Sequence, residues 1–104
     1  MIYTYPQIAS RQALPMLRNI KKETSYYGLK LVKTHYSLTD QFAIVVCSRN
    51  DGDLNDSNRF STHYFDIKTS ELLSGIYLLD RDNAEANAAE RFSERKQQLQ
   101  RMAS

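Results

Sequence analysis

An unbroken apolar run, Phe42-Ala43-Ile44-Val45-Val46-Cys47, constrains this chain more than any other feature. It is too short for a helix of ordinary length and is rich in β-branched residues. It therefore reads as a strand. Successive side chains of a strand point to opposite faces, so a run without a polar residue is apolar on both. That suits a central strand covered on both sides, or a core strand whose outer face is partly shielded. The rest of the chain must supply the neighbours and the covers.

The neighbours are legible on either side. Leu29 to Leu38 has β-branched and aromatic residues and no Pro or Gly, and Thr39-Asp40 after it reads as a tight turn. Its alternation is imperfect: Val32, Tyr36 and Leu38 share one parity, Leu29 and Leu31 the other. An antiparallel register about that turn pairs His35 with a position near 44. Residues 49 to 59 contain almost nothing apolar and are expected to form a long loop. Strand character resumes from Phe60 to Ile67. Lys68-Thr69-Ser70 is a second turn, and Leu72 to Leu79 a further strand in which Gly75 marks a bulge or a close approach. Ile2 to Tyr5, stopped by Pro6, is a short strand or an arm.

Helices are expected at both ends. Ser10 is the expected cap for the first. Leu14, Leu17 and Ile20, with Ala13 and Met16 beside them, form its apolar stripe, Pro15 suits only its first turn, and Gly28 stops it. The second is capped by Asp82, with Glu85 three residues on as a capping-box partner. Ala84, Ala88, Phe92 and Leu99 form its inner stripe, and Arg91, Arg95, Lys96 and Arg101 suit the negative end of its dipole. The expected fold is α+β: an antiparallel meander of three to four strands flanked by an N-terminal and a C-terminal helix, as a single domain over residues 1–104. Both helices are expected on one face of the sheet. The other face of Phe42–Cys47 would then need a loop, a second subunit or a partner, which points toward binding.

Composition narrows the function classes. A lone cysteine, Cys47, cannot form an internal disulfide. The opening Met-Ile-Tyr-Thr-Tyr-Pro has no basic region followed by an apolar run, and no apolar stretch reaches the roughly 20 residues a membrane span needs. A cytoplasmic protein without a membrane partner is expected. The net charge of +2 is small but uneven. Residues 1–52 carry net +4 and residues 53–104 net −2. A basic front half suits phosphate or an acidic protein surface.

Chemistry-bearing patterns are weak throughout. Asp51, Asp53 and Asn55 alternate as in a calcium loop, but the glycine and the glutamate that such a loop needs are replaced by Asp56 and Thr62. His35, Cys47 and His63 fall in three separate strands, without the paired spacing of a zinc site. Cys47 reads as a small buried hydrophobe, without a helix N-terminus to activate it. Asp80 and Asp82 read as caps and dipole partners. No nucleophile-elbow serine and no glycine-rich phosphate loop occurs among 3 glycines. No enzyme activity, cofactor or metal is expected.

The element order helix, strands, helix, with an alanine-rich final helix, resembles the double-stranded RNA-binding domain. That family binds phosphate through a basic cluster at the start of its last helix. Here the segment is Asp80-Arg81-Asp82-Asn83-Ala84-Glu85, whose carboxylates would repel an RNA backbone. The resemblance implies the arrangement and not the activity.

What remains is recognition. The chain has 7 tyrosines, and tyrosine favours half-buried contact surfaces. Tyr3, Tyr5, Tyr26 and Tyr27, outside the main strands, are candidate contact residues. Those in strands (Tyr36, Tyr64, Tyr77) are expected to roof the core. Arg11, Arg18, Lys21, Lys22, Lys30 and Lys33 supply the cationic front. The expected function is a non-enzymatic protein-binding module, an adaptor or an inhibitor of a larger assembly, of the accessory kind carried by phages and plasmids. Its partner is a protein or a second copy. The alternative is nucleic-acid binding, with the tyrosines stacking on bases.

Overall fold

The apolar run sits at the centre of an antiparallel sheet with a helix on each side. The computed structural model describes residues 2–4, 13–49 and 58–103. The elements are β1 (Ile2–Thr4), α1 (Ala13–Tyr26), β2 (Leu29–Ser37), β3 (Phe42–Arg49), β4 (Phe60–Asp66), β5 (Glu71–Leu79) and α2 (Arg81–Ala103). The strands lie in sequence order, β1-β2-β3-β4-β5, each antiparallel to the next. The expected four-strand meander between two helices is therefore present. The short β1 extends it by pairing Tyr3 with Thr34 along β2. Tyr5, Arg11, the Ser10 cap and segment 50–57 lie outside the described residues.

The expected placement of the helices is corrected. The two helices do not share a face. Ala43, Val45 and Cys47 of β3 pack with Ala13, Met16, Leu17 and Ile20 of α1, while Phe42, Ile44 and Val46 pack with Ala84 and Ala88 of α2. Every one of these β3 side chains is 1% exposed or less. The chain thus covers both faces of β3 with its own helices, and no partner is needed to shield it.

The imperfect alternation of β2 has a local cause. The β2–β3 register slips between Leu31 and Lys33, so one extra residue is accommodated at Val32. Parity changes there. Leu29 and Leu31 before the slip, and Tyr36 and Leu38 after it, all join the α1-side core, while Val32 joins the α2 side. A regular strand would have turned half of these apolar groups to the wrong face. His35 pairs with Ile44, as the turn at Thr39-Asp40 requires.

The helix ends follow from local chemistry. The inward residues of α1 are Ala13, Met16, Leu17, Ile20 and Thr24, whereas Leu14 is 38% exposed. Pro15 falls in the first turn, where its missing amide costs nothing. Thr24 is buried but satisfied, its hydroxyl donating to the Ile20 carbonyl at 2.9 Å. Gly28 adopts φ 74° and its amide donates to the Ser25 carbonyl at 3.0 Å, ending the helix. The cap of α2 is Asp80 and not Asp82: the Asp80 carboxylate accepts from the Asn83 amide at 2.7 Å. Asp82 lies in the first turn, and Glu85 faces Arg81 at 3.7 Å.

Polar side chains fasten α2 to the sheet. Thr62 of β4 donates to Asn87 at 2.6 Å and accepts from Arg91 at 3.1 Å. Lys96 meets Asp40 in the β2–β3 turn at 2.8 Å, and Arg95 lies over the Tyr64 ring. These cations serve the sheet rather than the helix dipole, which leaves Arg101 as the basic residue of the last turn. Between them runs an aromatic layer in which Phe42 stacks on Tyr64 and contacts Phe92.

Truncating Phe42, which is fully buried at the centre of that layer, is expected to cost about 3–5 kcal/mol. Urea unfolding of Phe42→Ala measures this. Hydrogen exchange is expected to rank the amides of residues 42–47 among the slowest in the protein. Fast exchange there would refute the central placement of β3.

Candidate functional site

The sheet has one long edge, β5, and α2 lies over β2, β3 and β4 instead. The sequence Glu-Leu-Leu-Ser-Gly-Ile-Tyr-Leu-Leu of β5 is consequently apolar but poorly covered. Leu73 is 42% exposed, Ile76 40% and Tyr77 50%. Leu73 pairs with Tyr64 and Ile76 with Thr62, both α2-side positions. Tyr77 lies on the α1 side, against His63.

β5 is not a plain edge. Its register with β4 slips twice, between Tyr64 and Thr62 and between Thr62 and Phe60. Ser74, at φ 46°, sits in the first irregularity, and its carbonyl accepts from Arg91 at 2.7 Å. Such irregularities interrupt the row of backbone groups that another strand would need. Gly75 follows for a steric reason. A Cβ there would lie 2.7 Å from the Tyr77 ring and 2.8 Å from His63 Cε1. Glycine lets Tyr77 fold back across the strand onto the histidine, with ring centroids 5.1 Å apart.

The two histidines are buried and neutral. His63 shares a 2.9 Å hydrogen bond between its Nε2 and the Ser61 hydroxyl. Burial, reinforced by the Arg91 charge, lowers its pKa from 6.5 to about 4. His35 lies on the α2 side near Phe92, and its Nε2 has no hydrogen-bond partner among the described residues. Burial, with the nearby Lys33 charge, also takes it to about 4. Ser61 is fully buried, so the Ser61–His63 pair presents no accessible nucleophile. Burial pushes the Cys47 thiol up to about 12, which is the chemistry of a core residue. Among the described residues no group of three or more His, Cys, Asp or Glu could hold a metal ion, and no helix is long and apolar enough to cross a membrane.

The second feature is the corner where α1 turns into β2. Tyr26 is 81% exposed and Tyr27 61%, their rings edge to face at 5.1 Å. Three shallow depressions surround this turn and share Leu29. One, of about 190 Å³, is lined by Tyr27, His63, Leu72, Leu73 and Tyr77. Another, of about 300 Å³, lies between Lys21, Ser25 and Lys30. The third, of about 380 Å³, lies between Gly28, Lys30, Ser48, Arg49 and Arg59. Arg49 also sits over the Tyr77 ring at 5.8 Å.

The sequence-predicted contact residues therefore divide. Tyr26, Tyr27, Lys21, Lys22 and Lys30 gather at the corner, with Arg18 one turn before Lys22 on the exposed side of α1. Lys33 is half-buried, opposite Val46, away from them. Tyr3 is on the far side of β2, in β1. Tyr36 roofs the core as expected and Tyr64 is partly buried, but Tyr77 does not and is half exposed. Leu73, Ile76 and Tyr77 were not apparent as surface residues. The available signal was Gly75, which marked the irregular strand. Comparison with protein-family models, with curated proteins and with solved structures finds no match to this chain.

Two outcomes test this geometry. Gly75→Ala is expected to displace Tyr77 or His63 and cost about 1–3 kcal/mol, read by urea unfolding. A neutral result would refute the close packing. Because both histidines have folded pKa values below the unfolded 6.5, stability is full above that pH and falls as pH drops toward about 4. His35→Leu is expected to leave stability at pH 7 nearly unchanged, since Nε2 has no partner to lose, and to make the loss between pH 6.5 and 4 shallower. An unchanged acid slope would show that His35 does not contribute.

Proposed function

We propose that this protein is a protein-binding module, an adaptor or an inhibitor of a larger assembly, and that its docking surface is the flank formed by β5. The observation that carries this reading is the exposure of Leu73 and Ile76 side by side on the α2 side of β5, where α2 covers the other strands. The apolar β3 run no longer supports it, since the chain's own helices bury that run. Exposed aliphatic side chains next to the Arg91-clamped irregularity give a contact with an apolar centre and a polar rim, the common anatomy of protein interfaces. The irregularities of β5 favour docking through side chains over addition of a strand.

The partner expected is a folded protein with a matching apolar strip. Leu73→Glu with Ile76→Glu places charge in the centre of the contact and leaves the core packing of β3 in place. Immobilised wild-type protein is expected to retain a partner at a fixed stoichiometry, and the double variant to lose it with an unchanged circular dichroism spectrum. Equal retention by both proteins, or none by either, would exclude the β5 flank as the docking surface. Size exclusion tests a second copy as the occupant.

A further inference from the structure

The α1–β2 corner has a different character from the β5 flank, and we infer that it binds single-stranded nucleic acid. Tyr26 and Tyr27 are the most exposed aromatic rings among the described residues, and Tyr27 borders a depression that Leu29, Leu72 and Leu73 also line. The exposed side chains beside them are Lys22 and Ser25 on α1 and Lys30 on β2, with Lys21 at the rim of the adjacent depression. The exposed aliphatic groups Leu73 and Ile76 lie instead on the α2 side of the sheet. Rings set among lysines match the chemistry of a base-stacking platform with a cationic track for the backbone.

The shape agrees with the chemistry. The three depressions that share Leu29 make the surface concave around the turn, and cations line two of them. Tyr27 and Tyr77 border the smallest of them, where Arg49 lies over the Tyr77 ring and Tyr27 is the more exposed of the two. Glu23 is the only acid among the described residues of α1, against Arg18, Lys21 and Lys22, and it lies three and four residues before Tyr26 and Tyr27. Asp51, Asp53 and Asp56 fall in the sequence between Arg49 and Arg59, outside the described residues, so the inference rests on the lysines of α1 and β2 and not on those arginines. Stacking on a ring is indifferent to base identity, and the expected ligand is an unpaired strand without strong sequence preference. A duplex keeps its bases stacked on one another and offers the rings little.

The test is fluorescence anisotropy of labelled oligothymidylate and oligouridylate at low salt, with a DNA duplex and polyglutamate as competitors. The intact protein is expected to bind both single strands with an affinity that falls as salt rises. Tyr26→Ala and Tyr27→Ala are each expected to weaken binding about fivefold or more, and Tyr26→Phe to retain it. Lys22→Gln with Lys30→Gln is expected to lower the salt dependence by about one unit of slope per lysine. Ile76→Glu, outside all three depressions, is expected to leave the affinity within about twofold, which separates this surface from the β5 flank. No binding at low salt overturns the inference. So does competition by polyglutamate as effective as that by the oligonucleotide, which would assign the corner to an acidic protein. Alanine variants that bind like the wild type would reduce it to charge alone and equally overturn it.

Discussion

Everything in this structure depends on β3 being buried on both faces. A strand with alternating polarity needs one cover, and a strand without polar residues needs two. The chain provides them by placing a helix before the meander and another after it, on opposite sides. Once β3 is fixed, the turn at Thr39-Asp40 sets β2 and the α1-side and α2-side cores are distinct. The extra residue at Val32 then becomes necessary, because the apolar groups of β2 change parity within the strand. A sequence irregularity is thus a requirement of the two-sided core.

The two covers hold by different means. α1 presents Met16, Leu17 and Ile20 and needs little else. α2 presents small residues, Ala84 and Ala88, and a single large anchor, Phe92, before Leu99. Apolar burial along α2 is therefore modest. Its attachment is completed by Asn87, Arg91, Arg95 and Lys96, each directed to a sheet residue or its turn. Arg91 joins Thr62 of β4 to the irregular carbonyl of β5. The irregularity in β5 and the position of α2 are consequently one feature and not two.

This explains how much could be read from the chain alone. Element order, the β2–β3 register, the inner stripe of α2 and the special role of Gly75 follow from local rules of period, turn and steric space. The side of the sheet chosen by each helix does not. Nothing in the stripe of α1 or α2 specifies which parity of β3 it meets, so the shared face was a misassignment, and the partner invoked to cover β3 went with it. The cap of α2 was misplaced by two residues because Asp80 and Asp82 carry the same signal. Leu14 was misassigned because a spacing of three fits the helix as well as the Ala13–Leu17–Ile20 alternative. Of the contact residues, Tyr26, Tyr27 and the neighbouring lysines were legible because a helix end and a glycine turn must be exposed. Tyr77 was hidden inside an apolar strand pattern, and its exposure depends on β5 being an edge.

Edge position also accounts for the separation of the two surfaces. A helix of given length crossing a twisted sheet cannot cover all strands, and α2 is held over β2–β4 by Lys96 at the β2–β3 turn and by Phe92 over Phe42. Leu73 and Ile76 of β5 are left open on that side, while Leu79 packs against the α2-side core. On the opposite side the turn from α1 into β2 brings Tyr27 toward Tyr77, and Arg49 lies over the Tyr77 ring. The same strand therefore borders an aliphatic surface on one face and an aromatic, cationic one on the other. Leu73 links the two, since its register places it on the α2 side while it also lines the depression between Tyr27 and Tyr77.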